Sequence, residues 1–488
     1  TRQADSIALV MLYDSTDGAN WTTTWDLTMP MSSWNGVTLT GGRVTTVDLS
    51  STNLVGTLPD LSLPNLVELS LEDNQLTGSI PNFTNLPNLE TLILAENQLS
   101  GSIPNFANLS NLIEVLLFSN QLTGSIPNPS NLPNLTYLFL DNNQLTGSIP
   151  NFTNLPKLTV LSSQNNQLAG SIPNFTSLPN LETLIFAENQ LSGSIPDFSS
   201  VPNLETLILS ENQLSGSIPN FSNLPKLTVL YLHNNQLTGS IPNFANLPNL
   251  TNLRLSYNQL SGMIPDFVGS PNIIRLFIEN NQFTFEDLLP AYDSLTRKIS
   301  STQFRYNNQD SIGITQVLSF NILSNYTLNL AIDDTVSTNT YYWYQNNILV
   351  DSTLGVNNYT FLTQQNDTST FYAQVVNSKV TNRAVNEQNL ILYSRGTTLQ
   401  IATAIRQITI PTLQVQPNPV SDLLYINTQA VQGDYLVSLI DMQGRVVEQL
   451  QGSGSTVFML PMAQQPAGTY IVRMQQADKV WQQKVVKQ

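Results

Sequence analysis

The sequence predicts a mostly β protein, in which a solenoid with a parallel concave sheet is followed by two β-sandwich domains. Three observations support this prediction. The pattern L-x-x-L-x-L-x-x-N-x-L recurs every 23 residues through the first 285 positions, and a fixed period of this size is typical of stacked repeats that share one core. After about position 313, short β-prone runs separated by turns replace the repeats. A chain of 488 residues is long enough for these three parts.

Residues 1–43 precede the repeats, and we expect them to form an N-terminal cap over the open end of the sheet. The run DSIALVMLYDSTDGANW predicts a short amphipathic helix that ends near Asp17-Gly18. The helix makes five apolar side chains available to the core: Ile7, Leu9, Val10, Leu12 and Tyr13. Three tryptophans follow and are expected to fill the cap: Trp21, Trp25 and Trp34.

The repeats occupy residues 44–300, with a closing segment at their end. Ten copies carry an asparagine at the same position: Asn74, Asn97, Asn120, Asn143, Asn166, Asn189, Asn212, Asn235, Asn258 and Asn281. A degenerate first copy begins at Val44 and has Thr52 instead. The asparagine is expected to satisfy buried backbone groups where the chain turns out of its strand, so we predict that Asn166 is buried and Asn165 exposed. Eleven strands about 4.8 Å apart form a sheet roughly 50 Å long.

The repeat consensus resembles the leucine-rich repeat, and the added L-[TS]-G-S-I-P resembles its plant-type subfamily. Pro81 and its equivalents cannot continue a strand or helix, so the convex side should be extended and turn-like. The cap resembles the N-terminal cap of the same family. That cap usually carries a disulfide, whereas this chain contains no cysteine. After Phe283, FEDLLPAYDSL is expected to form a short closing helix.

Residues 301–408 resemble an immunoglobulin-like β-sandwich. The resemblance is carried by six strand-like runs separated by turns: TQVLSF, YTLNLAID, TYYWYQNNILV, NYTFLTQ, TFYAQVVNS and NLILYSR. The resemblance places Trp343 as the buried tryptophan of the third strand and Tyr372 at the tyrosine corner. Two residues later the family often has cysteine, and this sequence has Gln374.

Residues 409–488 resemble the type A C-terminal sorting domain of type IX secretion substrates. Four motifs in order carry the resemblance: VQPNPVSDLLYI, SLIDMQGRVVEQ, PAGTYIVRMQ and KVVK. It implies recognition by the type IX secretion machinery, and a secreted or outer-surface location in a Gram-negative bacterium. The secretion-signal residues it implies are Pro417, Asn418, Pro419, Gly444, Arg445, Gly468, Tyr470, Lys484 and Lys487. Gly444 and Gly468 are expected at turns.

Composition and charge exclude several functions. The formal net charge is −16, and positions 48–279 hold 16 acidic and 4 basic residues, or −12. This argues against nucleic acid as a partner. With no apolar run of 18 residues, we predict no transmembrane segment. One histidine and no cysteine exclude Cys/His nucleophiles and multi-histidine zinc sites. The glutamates are copies of one duplicated unit, so we predict no catalytic site and no enzyme.

The concave face contains the candidate binding site. Because the repeat leucines point inward, alternate residues point outward, and the middle outward column has seven large apolar residues among eleven positions. Contiguous exposed apolar surface usually marks an interaction site, although strand propensity alone also favours such residues. With neighbouring columns, the predicted ligand-binding residues are Ile93, Leu116, Phe118, Tyr137, Phe139, Ile185, Ile208, Tyr231, Arg254, Arg275 and Phe277.

Two glutamate pairs, Glu182 with Glu205 and Glu188 with Glu211, are one repeat apart and should lie about 5 Å from each other. Like charges in this position destabilise a sheet. A calcium ion or a cationic ligand would relieve the repulsion, and salt screening would also do so. Calcium is thus the one candidate cofactor. Near the C-terminal end the sign of the charge changes at Arg254 and Arg275.

The resulting hypothesis is a secreted or cell-surface binding or adhesion protein, whose concave face binds an extracellular protein or glycan. The first alternative is a structural subunit that self-assembles into an extracellular filament or surface assembly. Ice binding by a flat polar repeat face is a third reading, which the sequence favours less because it contains no regular Thr-x-Thr array.

Overall fold

The computed structural model describes residues 2–128, 131–300, 303–306, 309–311, 316–320, 325–329, 336–362, 369–380, 392–395, 397–401, 413–428, 434–453, 457–476 and 479–488. The chain divides into two compact units, Thr1–Ile401 and Ala402–Gln488. The predicted domain boundaries at 300/301 and 408/409 and the run TAIRQITIP touch positions outside the described residues, so these limits stay predictions.

Unit 1 contains the predicted solenoid, whose concave side is one 13-stranded sheet. The eleven repeat strands, β2 to β22 in even numbers, pair in parallel, which confirms the predicted fold class. Antiparallel β1 covers one end of the sheet and parallel β23 extends the other. The strands are β1 (Val37–Thr40), β2 (Arg43–Asp48), β4 (Glu68–Ser70), β6 (Thr91–Ile93), β8 (Glu114–Leu116), β10 (Tyr137–Phe139), β12 (Val160–Ser162), β14 (Thr183–Ile185), β16 (Thr206–Ile208), β18 (Val229–Tyr231), β20 (Asn252–Arg254), β22 (Arg275–Phe277) and β23 (Phe304–Arg305).

The repeat asparagines form a ladder that joins each repeat to the one before it. The Asn166 side chain donates to the backbone oxygens of Leu140 at 3.0 Å and Gln164 at 3.2 Å, and accepts from the Leu145 amide at 2.9 Å. Leu140 and Leu145 belong to the preceding repeat, so the side chain bridges two repeats. Asn166 is buried and Asn165 exposed, as predicted. Each asparagine satisfies backbone groups that water cannot reach.

Two further parallel sheets run along the flank of the solenoid, and the sequence did not predict them. They arise from the Q-L-[TS]-G-S segments, whose glycines have positive φ, for example 79° at Gly101. Their strands are β3 (Val55–Thr57), β5 (Gln75–Ser79), β7 (Gln98–Ser102), β9 (Gln121–Thr123), β11 (Thr146–Gly147), β13 (Gln167–Gly170), β15 (Gln190–Gly193), β17 (Gln213–Ser217), β19 (Gln236–Gly239) and β21 (Gln259–Leu260).

A column of phenylalanines fills the convex side of the core. Six rings, from Phe152 to Phe267 at intervals of one repeat, lie 6.3–6.4 Å apart between centroids. Phe83 and Phe106 occupy the same position in earlier repeats and are also buried. The rest of the convex side consists of turns and extended chain, in line with the proline-based prediction. Aromatic packing therefore replaces the convex strands or helices that would otherwise cover the leucines.

The N-terminal cap contains α1 (Arg2–Ser15) and the 3-10 helices Gly18–Asn20 and Met31–Ser33. The three tryptophans are buried, and Trp25 stacks on Trp34 at 4.8 Å. The buried Asp5 accepts two hydrogen bonds from Arg43, at 2.8 and 2.9 Å, which join the helix to β2. The prediction for Ile7 was wrong, because its side chain is 57 % exposed. It lies on the opposite face from the buried Leu9 and Leu12.

The closing helix predicted after the repeats is α2 (Phe285–Lys298). Its N-terminus is a capping box: the Asp287 amide donates to Thr284 Oγ1 at 3.3 Å, and the Thr284 amide donates to the Asp287 carboxylate at 2.9 Å. Phe285, Leu288 and Leu295 are buried against the last repeat. The helix and β23 close the C-terminal end of the leucine core.

The remaining strands of unit 1 form two sheets that pack face to face. One has the order β24-β31-β29-β26-β27 with β30 beside β29, and the other pairs β25 with β28. Trp343 is buried as predicted, and its ring stacks on Tyr359 at 5.8 Å. The strands are β24 (Gln316–Phe320), β25 (Asn325–Asn329), β26 (Asn339–Gln345), β27 (Ile348–Leu354), β28 (Asn358–Leu362), β29 (Thr370–Asn377), β30 (Leu392–Tyr393) and β31 (Thr397–Ile401).

The tyrosine-corner expectation for Tyr372 differs from the structure. Within β29, Phe371 and Ala373 face the core, so Tyr372 faces the other side of the sheet. Its ring stacks on Tyr344 at 4.9 Å, on the neighbouring strand. Tyr372 therefore forms a cross-strand pair on the outer face of this sheet.

Unit 2 consists of a three-stranded sheet, β32-β33-β36, and a four-stranded sheet, β35-β34-β37-β38. Apolar side chains of both sheets share one core, which includes Leu424, Ile426, Val437 and Val472. The strands are β32 (Leu413–Gln416), β33 (Leu423–Thr428), β34 (Asp434–Asp441), β35 (Val446–Ser453), β36 (Val457–Pro461), β37 (Gly468–Gln476) and β38 (Lys479–Lys487). Pairing of neighbouring strands is antiparallel in both sheets.

The asparagine ladder leads to the first prediction. Replacing Asn166 by Ala should lower the free energy of unfolding by about 1–3 kcal/mol, because the Leu145 amide would stay buried without a partner. The Leu140 carbonyl would keep only its hydrogen bond from Asn143. Thermal and denaturant unfolding of the full chain measure this loss.

The matched control is Asn165→Gly. Asn165 has a φ of 51°, which glycine adopts without steric cost, and the expected loss is below about 1 kcal/mol. Equal losses at the two positions would contradict the ladder as the interaction that joins the repeats.

Candidate binding surface

The concave strands alternate between core and solvent, as β10 shows. Leu138 is buried, whereas Tyr137 is 39 % exposed and Phe139 is half-buried on the same outward side. Along β8 and the two residues after it, the buried Val115 and Leu117 alternate in the same way with the outward Leu116 and Phe118. The structure thus places the predicted site residues on the concave side. Whether they bind a ligand stays a prediction.

The middle outward column is continuous because the strands are paired without a register shift. Ile93 lies beside Leu116 and Leu116 beside Phe139. Further along, Ile185 lies beside Ile208, and Ile208 beside Tyr231. Each neighbour is one strand away, about 4.8 Å. The column therefore offers two apolar stretches in one line.

A buried polar contact separates these two stretches. Ser162 occupies the column between Phe139 and Ile185, and its hydroxyl donates to the buried carboxylate of Asp141. The Gln164 amide donates to the same carboxylate at 2.8 Å. Burial raises the pKa of Asp141, and these two hydrogen bonds act in the opposite direction. The sequence did not single out Asp141, because its chemistry depends on a contact one repeat away.

The predicted calcium candidates lie on the rims of this surface. Glu182, Glu205, Glu188 and Glu211 are all exposed. In the described part of the chain, no three acidic, histidine or cysteine side chains come together as metal ligands. Calcium takes six to eight oxygen ligands, so each glutamate pair would need further oxygen ligands besides its own carboxylates. Calcium binding at these pairs stays a prediction.

At the C-terminal end of the sheet, aromatic rings and arginines alternate. The Arg254 guanidinium carbon lies 4.4 Å from the Tyr231 ring centroid and 5.2 Å from that of Phe277. Arg305 lies on the other side of Phe277, 4.6 Å from its centroid, and Arg275 lies 6.0 Å from it. Such contacts stabilise a cation over a ring. Arg305 cannot be recognised from the repeat pattern, because β23 follows the last repeat and the closing helix and has no asparagine to mark its register.

His233, the single histidine of the chain, lies beside this group. Its ring meets the Tyr231 ring edge-on at 6.1 Å. Burial lowers the pKa of His233, the positive charge of Arg254 lowers it further, and Glu211 acts in the opposite direction. At neutral pH the ring is therefore uncharged, and the positive charge at this end of the sheet comes from the arginines.

Comparison with protein families identifies two parts of the chain. Leucine-rich repeat models match residues 64–108, 110–154, 202–246 and 249–270. A secretion system C-terminal sorting domain matches residues 414–488. The chain therefore contains leucine-rich repeats and a type IX secretion sorting domain. No helix in the described residues has the length and apolar character needed to cross a membrane.

Several known proteins are similar to parts of this chain. Receptor-like kinase TMK4 of Arabidopsis thaliana is 43 % identical over 61 residues, 12 % of this chain and 7 % of that protein. The leucine-rich repeat ectodomain of GASSHO1/SCHENGEN3, a plant membrane receptor kinase from Arabidopsis thaliana, in complex with CASPARIAN STRIP INTEGRITY FACTOR 2, is 28 % identical with a TM-score of 0.52. That match covers 66 % of this chain and 48 % of the ectodomain. A plant ice-binding protein is 31 % identical with a TM-score of 0.46, covering 54 % and 89 %. The chain spans less than half the length of the first two relatives.

Within the sorting domain, the first and last motifs are joined directly. Asn418 donates to the Lys484 backbone oxygen and accepts from the Val486 amide, both at 2.9 Å. Pro417 and Pro419 flank it and are exposed, as is Lys484, whereas Lys487 is half-buried. The motif residues at the two ends therefore lie together on one side of the domain.

The middle motifs are held by local contacts. Arg445 pairs with Asp441 at 2.8 Å, beside the turn that contains Gly444 with a φ of 82°. Tyr470 is buried, and its hydroxyl donates to the Pro466 oxygen at 2.8 Å. The expectation that Gly468 lies in a turn was wrong, because it is the first residue of β37.

The alternation in β10 leads to the second prediction. Phe139→Ser should cost about 1 kcal/mol, because the ring points outward and is only half-buried, so it loses only part of the burial energy of a core side chain. Leu138→Ser should cost about 2–5 kcal/mol, because it leaves a cavity and a buried hydroxyl. Melting curves of the two purified variants compare them. A large loss for Phe139→Ser with a small one for Leu138→Ser would reverse the faces and remove the binding surface.

Proposed function

We propose that this protein is a secreted or surface-displayed binding or adhesion protein, which binds an extracellular protein or glycan with its concave face. The observation that supports this most is the outward column from Ile93 to Phe277. Solvent-facing strand positions are expected to be polar, and contiguous apolar surface on a soluble protein marks an interaction site. The asparagine ladder fixes the register, so this surface exists before a ligand arrives and needs no ordering on binding.

The comparisons support the same type of function. The GASSHO1/SCHENGEN3 ectodomain has the same repeat fold and was crystallised in complex with CASPARIAN STRIP INTEGRITY FACTOR 2. In this proposal the repeats are of the plant type, and the two sheets of residues 316–401 are an immunoglobulin-like module. Binding requires no catalytic group, which agrees with the repeated rather than unique placement of the glutamates. The sorting domain takes the repeats to the outside of a Gram-negative cell, where such a ligand would be met.

One observation favours the alternative of a structural subunit. Strand β27 lies at the edge of its sheet, and its apolar side chains Ile348, Leu349 and Leu354 are 51–69 % exposed. A free apolar edge strand can pair with another chain. Assembly through β27 is compatible with a ligand on the concave face, because the two surfaces share no residue.

The sorting domain leads to the third prediction. Deleting residues 411–488 should leave the protein in the periplasm, because the secretion machinery would lack its recognition domain. Fractionation of cells and medium, with immunoblotting, shows where the protein is. The control is the full chain with Phe139→Ser, which keeps the sorting domain and should be exported normally. Appearance of the truncated protein outside the cell would contradict the role of this domain.

The proposed function is tested by offering ligands of both classes to the full chain. Immobilised protein is exposed to a soluble random-peptide library, and soluble protein is applied to a glycan array. The bound ligands are then identified. We expect one class to be retained, and Phe139→Ser to weaken retention about fivefold or more, as loss of an aromatic anchor does. Equal retention by the variant, or none by either protein, would contradict concave-face binding. In the same samples, electron microscopy and ice-recrystallisation assays would reveal filaments or ice binding instead.

A further inference from the structure

Four residues on adjacent strands form an alternating stack at the C-terminal end of the concave face. Tyr231, Arg254, Phe277 and Arg305 are direct neighbours in the sheet register. The centroid distances of 4.4, 5.2 and 4.6 Å place a guanidinium between the two rings and a second one beyond Phe277. We call these four residues the aromatic–arginine ladder.

No ion pair between described residues includes an arginine of this region. The ion pairs join Asp5 to Arg43, Asp310 to Arg395 and Asp441 to Arg445. One carboxylate, that of Glu279, follows Phe277 by two residues on the same outward side. Arg275 donates to the neutral side chain of Gln303 at 2.6 Å. Three cations around the Phe277 ring repel one another, in a chain whose net charge is −16. An anion from outside would remove that repulsion.

Polar atoms at this end of the sheet also lack partners. Arg254 Nε is buried and donates no hydrogen bond to the described part of the protein. His233 Nδ1, two residues after Tyr231, is likewise buried without a partner. Buried polar atoms normally have one, and each exception needs a reason. A ligand that accepts hydrogen bonds would give Arg254 Nε the partner that it lacks.

The stacking decides what kind of ligand fits. Arg254 covers one face of Tyr231, and Arg254 and Arg305 cover both faces of Phe277. The Phe277 faces are therefore not available to stack on a sugar ring. A stacked guanidinium still presents its N–H edge, whose planar fork matches the two oxygens of a carboxylate. The ladder thus favours an oxyanion over a neutral glycan.

The charges along the surface favour a peptide over an acidic polysaccharide. The arginines lie at β20 to β23, whereas the exposed Glu182, Glu205, Glu188 and Glu211 lie along the preceding repeats. A uniform polyanion along the face would meet these glutamates and be repelled. A peptide with acidic groups at one end would place them at the ladder, and its apolar side chains would pack on Ile185 and Ile208. From β14 to β23 there are five steps of about 4.8 Å, which an extended peptide spans with about seven residues.

We propose that the aromatic–arginine ladder binds the carboxylate groups of an acidic peptide segment of an extracellular protein partner. Arg254 and Arg305 donate the hydrogen bonds, Tyr231 and Phe277 hold the guanidinium planes, and Ile185 and Ile208 take the adjoining apolar side chains. This inference rests on the proposed concave-face function and specifies its ligand.

The experiment compares arginine variants on the full chain. Wild-type protein, Arg254→Gln, Arg305→Gln and Arg297→Gln are incubated with a soluble library of random peptides about ten residues long. The retained peptides are sequenced, and the affinities of resynthesised ones are measured. Arg297 is exposed on α2 and is not one of the ladder residues, so its variant controls for the loss of one positive charge. Arg305 is also exposed, so its variant acts without disturbing the core.

We expect wild-type protein to retain peptides enriched in Asp and Glu, or dependent on a free terminal carboxylate. Arg254→Gln and Arg305→Gln should each weaken binding about tenfold, and Arg297→Gln should not. Resynthesis with Glu replaced by Gln, or with an amidated terminus, shows which carboxylate is bound. No acidic enrichment, no effect of either carboxylate change, or equal losses in all three variants would overturn the inference. Retention of glycans alone, lost in Phe139→Ser, would overturn this ligand and leave the concave-face function standing.

Discussion

The asparagine ladder is the interaction on which the rest of the structure depends. A parallel solenoid must bury the backbone groups of every turn that leaves the sheet, and each unsatisfied group would cost about 1–3 kcal/mol. One side chain per repeat solves this by bonding its own turn and the turn of the repeat before it, as Asn166 does. Because the same bridge recurs at each step, the repeats stack without a change of register. The chain needs no disulfide for this, and it contains no cysteine.

Because the strand register is fixed, the residues that form the core and the residues that form the concave surface can vary independently. Inward leucines and the convex phenylalanines hold each repeat, and the outward positions can differ from one repeat to the next without disturbing the core. The outward column uses this freedom in an ordered way: aliphatic and aromatic residues come first, and arginines stacked on rings come last. The strands hold these side chains at a constant spacing, which would preorganise the surface for the extended partner that we propose.

The sequence was sufficient for whatever depends on the repeat period alone. It predicted the eleven concave strands, the burial of Asn166 and the outward direction of Phe139, because each follows from period 23 and strand alternation. It did not predict the flank sheets, since Q-L-[TS]-G-S contains a glycine that local propensity assigns to a turn. Only stacking on the next repeat makes it a strand.

The sequence also did not predict contacts between residues that are far apart in the chain. Arg305 stacks on Phe277 although α2 lies between the two residues in the sequence. No periodic pattern predicts that β23 pairs with β22. The Ser162–Asp141 contact crosses one repeat and depends on side-chain direction. Ile7 was misassigned because the helix that carries it has apolar residues on two faces, and packing against the cap decides which face is buried.

The central claim is that the concave face, rather than the convex one, meets the partner. The most direct measurement places a photo-crosslinking amino acid at position 139 on the concave face and, in a separate variant, at position 174, which is Asn174 on the exposed convex side. Both full-length variants are illuminated on cells of the producing bacterium. Our account predicts a discrete crosslinked species from position 139 and none from position 174. A species from position 174 alone, or none from position 139, would contradict it.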